Sequence, residues 1–185
     1  MAYNAVTETV ILFGGSGEGG ALGDTWEWDG QTKTWTELFP AASPSPRIGT
    51  SLAYDAITRE IVLFGGNGST GDLNDTWSWN GATWTQRFPA ASPSPRQVSS
   101  IAYDASLGQV VLFGGRAPDG QSLDDTWGWN GIRWTQLKLP AQPPARYTGA
   151  MDFDPFSDGL VLFAGWLACC TPLDDTWLLA PVLAR

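Results

Sequence analysis

Apolar residues come in short runs separated by glycine, proline and small polar residues, and no stretch keeps helical apolar spacing over ten or more residues. The pattern is clearest between Arg47 and Trp84. Ile48 to Tyr54 starts small and polar (Gly49, Thr50, Ser51) and reads as a first strand, closed by a turn at Asp55. Ile61-Val62-Leu63-Phe64 is apolar on successive residues, which predicts a second strand buried on both faces between neighbouring sheets. Gly65-Gly66 ends it, since glycine reaches backbone angles closed to other residues. Thr76-Trp77-Ser78-Trp79 alternates, so both tryptophans share one face of a third strand. Asn80-Gly81 is a two-residue hairpin signal that sets Trp84 on a fourth strand, antiparallel to the third.

The same pattern returns about every fifty residues. Phe13-Gly14-Gly15, Phe64-Gly65-Gly66 and Phe113-Gly114-Gly115 are matched in a fourth copy by Phe163-Ala164-Gly165, and Asp-Thr-Trp recurs at Asp24, Asp75, Asp125 and Asp175. A period of this length means a repeat architecture with one supersecondary unit per copy. The copies span about 1–46, 47–95, 96–145 and 146–185. Asn4 aligns with Asp55, so the first copy has no counterpart of Arg47 and little of the first strand. Ala180-Pro181 aligns with Asn130-Gly131 and Ala184 with Trp134, so the fourth copy is expected to lack its outer strand. Incomplete end copies are what a fragment of a longer array would show.

Composition narrows the function classes. A formal charge of −9 with no basic cluster argues against nucleic acid, whose phosphates need gathered lysines and arginines. The longest apolar run, Leu160 to Cys170, is too short to span a bilayer, and no basic segment leads into an apolar one at the N-terminus. A soluble protein without a visible export signal is expected, its compartment open. The absence of histidine removes Ser-His-Asp and Cys-His nucleophiles and leaves any metal only carboxylates, carbonyls and two thiols. Neither a metal nor a cofactor is expected.

Phe-Gly-Gly, a loop, an Asp-x-Trp strand, a later Trp and a Pro-x-Arg or Pro-Ala-Arg junction together resemble kelch repeats, most closely their Trp-rich bacterial form. The resemblance implies an all-β, kelch-type β-propeller in which each copy is a four-stranded blade and the first strands line a central channel. Rings of this family usually take more than four blades, so exposed blade edges imply self-association of two chains, a homodimer, into a larger ring. A closed four-bladed ring and an open fragment are the alternatives.

Arg47, Arg96 and Arg146 open the first strand in three successive copies. If those strands surround a channel, three guanidinium groups approach its mouth, and such planar donors suit carboxylates or phosphates. In some eukaryotic kelch adaptors an arginine followed by Ile-Gly, as in Arg47-Ile48-Gly49, contacts acidic peptides; Arg96-Gln97-Val98 and Arg146-Tyr147-Thr148 depart from that motif. The plainer reading is that each arginine bonds loop carbonyls in its blade. The repeated aspartates are read as structural, bonding loop amides. Ten of the eleven tryptophans hold repeat positions and read as packing, whereas Trp166 has no counterpart. Trp166 and Tyr147 join the arginines as candidate ligand contacts on one rim. Cys169 and Cys170 are adjacent, which excludes a disulfide framework and leaves small part-buried residues, a vicinal disulfide, a thiol metal site or a subunit contact. The leading function is a noncatalytic interaction module whose arginine-lined rim binds an acidic peptide or sugar acid. An isomerase or lyase acting on an acidic sugar, and a purely structural propeller piece, are the competing readings.

Overall fold

A computed structural model describes residues 1–167 and 171–179. Four antiparallel sheets follow one another as the four blades of a propeller, their inner strands facing a common central channel, with no helix among the described residues. The first blade is built from Ala2–Asn4, Thr9–Gly17, Gly20–Asp29 and Thr34–Leu38, in that order from the channel outward. Arg47–Ile48 with Ser51–Asp55, then Glu60–Gly68, Gly71–Trp79 and Trp84–Arg87, form the second. The third repeats this with Ser100–Asp104, Gln109–Arg116, Ser122–Trp129 and Trp134–Leu137. In the fourth, Ala150–Asp154, Gly159–Phe163 and Thr176–Leu179 pair in sequence, and Trp166–Leu167 with Thr171–Pro172 makes a separate ribbon. The expected loss of an outer strand there falls on residues 180–185, outside those described. The channel is lined by the four inner strands around a space of about 460 Å³.

Each blade is made by local chemistry. The Asp55 carboxylate accepts from the amides of Ile57 and Thr58 at 2.9 and 3.2 Å, turning the chain from the first strand into the second. The hairpin after Trp79 is longer than the Asn-Gly pair alone predicts. Trp79 pairs with Trp84 across a four-residue loop, residues 80–83, in which Asn80 Oδ1 accepts from the amides of Ala82 and Thr83. The first strand is also interrupted: Arg47–Ile48 pairs with Asn67 and Gly68, and a left-handed residue, Gly49 (φ 64°), separates it from Ser51–Asp55.

Successive second-strand residues are buried on opposite faces, as the unbroken apolar run requires. Ile61 and Leu63 join Ile11, Phe13, Trp79 and Trp84 in the core between blades 1 and 2. Val62 and Phe64 join Val110, Leu112, Trp129 and Trp134 between blades 2 and 3. A third core, with Val111, Phe113, Leu160 and Leu162, joins blades 3 and 4. Two joints share one device. Phe13 meets Trp84 edge-on at 5.4 Å between ring centroids while Trp84 Nε1 donates to Thr25 Oγ1 at 3.0 Å. Phe64 meets Trp134 at 5.3 Å while Trp134 Nε1 donates to Thr76 Oγ1 at 2.9 Å. Between blades 4 and 1 no buried cluster forms among the described residues.

Candidate functional site

The three arginines occupy equivalent places, and they are buried, with 1, 1 and 0% of Arg47, Arg96 and Arg146 exposed. Arg47 donates through Nη1 and Nη2 to both carboxylate oxygens of Asp75 at 2.6 and 2.8 Å. Its remaining N–H groups reach the Gly65 carbonyl at 3.0 Å, the Ser45 carbonyl at 3.0 Å and Ser45 Oγ at 3.1 Å. Arg96 repeats all five bonds with Asp125, Gly114 and Ser94. Arg146 makes the same pair with Asp175 and reaches the Ala164 and Pro144 carbonyls.

These bonds correct two expectations about the residues involved. The repeated aspartates take their main partners from side chains, since each also accepts from the indole of the tryptophan two residues on, at 2.7 Å for Trp77 and Trp127 and 2.6 Å for Trp26 and Trp177. The guanidinium groups do not stand open at the channel mouth; an anion could reach Arg47 or Arg96 only by displacing an aspartate from a buried, bidentate pair. Burial by itself would raise the Asp75 and Asp125 carboxyls, but hydrogen bonds from arginine and tryptophan and the arginine charge hold both below the usual range. The Arg146 hydrogen bond, opposed by desolvation and helped by Trp177, takes Asp175 down to about 2.

Each arginine also ties two blades together. While its side chain binds its own blade, its backbone binds the preceding one: the Arg96 amide donates to the Leu73 carbonyl at 3.0 Å and the Arg96 carbonyl accepts from the Gly66 amide at 2.9 Å. Arg146 does the same with Leu123 and Gly115. This explains the first glycine of each pair, because a Cβ on Gly65 would lie 2.5 Å from the Arg96 carbonyl oxygen and one on Gly14 2.7 Å from that of Arg47. Asp24, with no arginine in its blade, keeps Oδ1 buried and without a partner.

What the arginines position is the residue after them. Ile48 pairs with Asn67, Gln97 with Arg116, and Tyr147 with Trp166, each at the base of the hairpin that rises from its blade. The Gln97 and Arg116 backbones exchange two hydrogen bonds at 3.1 and 2.9 Å, and those of Tyr147 and Trp166 do so at the same distances. The frame repeats while the displayed pairs do not. Arg116 and Trp166 are exposed, and Arg116 takes part in none of the ion pairs among the described residues. Gln97 Nε2 and Asn67 Nδ2 both donate to Asp72 Oδ1, at 3.1 and 2.6 Å, so the floor between hairpins is fixed. Two grooves run between the hairpins: one of about 490 Å³ bounded by Ser16, Gly20, Pro46 and Ile48, and one of about 260 Å³ bounded by Asp72, Gln97, Arg116 and Pro118. Of the sequence candidates, Tyr147 and Trp166 come together on this rim and the arginines lie behind it. Cys169 and Cys170 fall outside the described residues. Ile48, Asn67, Gln97 and Arg116 were not singled out, although non-repeating residues beside repeating ones were a readable signal.

A family model for the KLHDC2/KLHL20/DRC7 kelch-repeats domain matches residues 1–183. The chain belongs to the kelch-repeat family. Kelch propellers typically serve as protein-interaction modules, and the repeat signature and its propeller agree here. Comparison with curated proteins found no match. Among the described residues of this kelch domain, no group of three or more histidine, cysteine or acidic side chains could hold a metal ion, and no helix is long and apolar enough to cross a membrane.

Proposed function

We propose that the hairpin rim of this kelch domain binds an acidic segment of a partner protein, with a carboxylate of that segment seated on Arg116 and its apolar side chains against Tyr147 and Trp166. The observation that carries this reading is the non-repeating row of rim pairs on a repeating frame, where Arg116 is exposed and outside the ion pairs of the described residues. Guanidinium suits a carboxylate because its planar donors meet both oxygens at once. The exposed Trp166 indole gives the segment an apolar anchor of the kind that dominates binding energy at protein contacts. Arg47, Arg96 and Arg146 serve this surface from behind, by holding the strands that present Ile48, Gln97 and Tyr147.

Selection of peptides from a displayed random library on the immobilised domain tests the reading. Sequences carrying Asp or Glu beside an aromatic or aliphatic residue are expected. Arg116→Ala is expected to weaken them about tenfold, the size of one charge-assisted hydrogen-bonded contact. Selected peptides that bind Arg116→Ala and Trp166→Ala as tightly as the unaltered domain would overturn it.

A further inference from the structure

The joint that holds blades 1 to 2 and 2 to 3 is present a third time as two separated halves. Its leading half is a tilted tryptophan pair: Trp79 with Trp84 and Trp129 with Trp134, both at 5.4 Å and 1–3% exposed. In blade 1 the equivalent pair, Trp28 with Trp35, is already assembled at 5.5 Å, yet Trp35 is 43% exposed. The trailing half is the phenylalanine before the glycine pair and the threonine before the tryptophan. Phe13 and Phe64 are 4 and 1% exposed beneath their tryptophans, and Thr25 and Thr76 are buried as acceptors of indole N–H groups. In blade 4 the equivalents are Phe163, 48% exposed, and Thr176, also exposed. One chain therefore presents a donor face and a matching acceptor face that it does not bring together.

We infer that blade 4 of one copy docks on blade 1 of a second copy, and reciprocally, so that two chains close an eight-bladed ring through two identical head-to-tail joints. In each joint Phe163 meets Trp35 edge-on and Trp35 Nε1 donates to Thr176 Oγ1, as in the two joints already made within the chain. A second copy fits because it carries the complementary half in the same preassembled geometry. Eight blades lie within the range of about four to eight that propellers adopt, and a head-to-tail contact whose rotation closes gives a ring. This inference is independent of the rim and its ligand.

Sedimentation of the 185-residue chain at micromolar concentration is expected to give twice the 19.9 kDa chain mass. Trp35→Glu and Phe163→Glu, each alone, are expected to sediment as monomers. Their equimolar mixture is expected to recover a weaker dimer, since one joint then pairs two unaltered faces and only the other is blocked. Both positions face solvent in the single chain, so neither change disturbs the three internal cores; circular dichroism checks this, and the milder Trp35→Phe and Phe163→Leu are expected to raise the dissociation constant in the same sense. An unaltered chain that stays monomeric, or grows into open assemblies larger than a dimer, overturns the inference. So does dimerisation lost in one charged variant and kept in the other, which marks a face pairing with itself, or a mixture that stays monomeric.

Discussion

A buried guanidinium is stable only where every donor is met, and this requirement explains more of the repeat than any other residue does. Arg47 meets it with one aspartate, one serine and one backbone carbonyl from the strand end of its own blade. Removing one partner from a buried ion pair costs more than the pair contributes, because the remaining charge is left desolvated. Asp75→Asn is therefore expected to lower unfolding free energy by about 3 kcal/mol. Asp24 occupies the same sequence position without an arginine and holds only the Trp26 indole. Asp24→Asn keeps an acceptor for that indole and removes a carboxylate whose second oxygen is unpaired, so its effect is expected to stay within about 0.5 kcal/mol. Urea titration of the two variants checks the contrast; equal losses would mean that the arginine is not what makes the aspartate matter.

At the scale of the strand and the blade, period and alternation were readable because they are local. Trp77 and Trp79 fall on one face since side chains alternate along a strand, and both pack toward blade 1 as that alternation requires. Contacts between copies were less readable. Gly65 reads as the end of a strand, but the strand runs on to Gly68 with only a register shift between Phe64 and Gly66; what demands the glycine is the carbonyl of Arg96, 31 residues later and in the next blade. The arginines were legible as a repeated feature at one end of the first strand. Their direction was not, because the pairing of Arg47 with Asp75 depends on how two strands meet across a blade. Of the rim residues, Trp166 was legible because it has no counterpart in the other copies, whereas Gln97 and Arg116 were not, because their pairing across the base of a hairpin leaves no mark in the repeat. The indole-to-threonine bond belongs to the same class of inter-blade contact. Trp134→Phe retains an aromatic ring over Phe64 but strands the buried Thr76 hydroxyl, so it is expected to cost about 2 kcal/mol in denaturant unfolding. Thr76→Val in the same background should then recover part of the loss, because no unpaired hydroxyl remains; a further loss of similar size would show that the hydrogen bond is not the source.

Over the whole molecule, the arginine-bound carboxylates fall in successive blades, so protonating them loosens the propeller at several joints at once. Asp75, Asp125 and Asp175 all ionise below the ordinary value of 3.8, with Asp175 at about 2. Asp154 is lowered too, by the Ser157 hydroxyl and neighbouring backbone amides. A carboxylate with a depressed folded-state pKa binds its proton more readily in the unfolded chain. Its stabilising effect is thus complete above the unfolded value and disappears as pH falls through the folded one. With no histidine in the chain, nothing of that residue type titrates near neutrality to compete with this effect. The urea midpoint is therefore expected to be nearly flat between about pH 7 and 5 and to fall steadily between about pH 4 and 2. Asp175→Asn should start from a lower midpoint and lose less across the acid range, because one of the groups responsible is already neutral. A midpoint that stays level down to pH 2, or an Asp175→Asn slope as steep as that of the unaltered chain, would show that the arginine pairs do not govern acid stability.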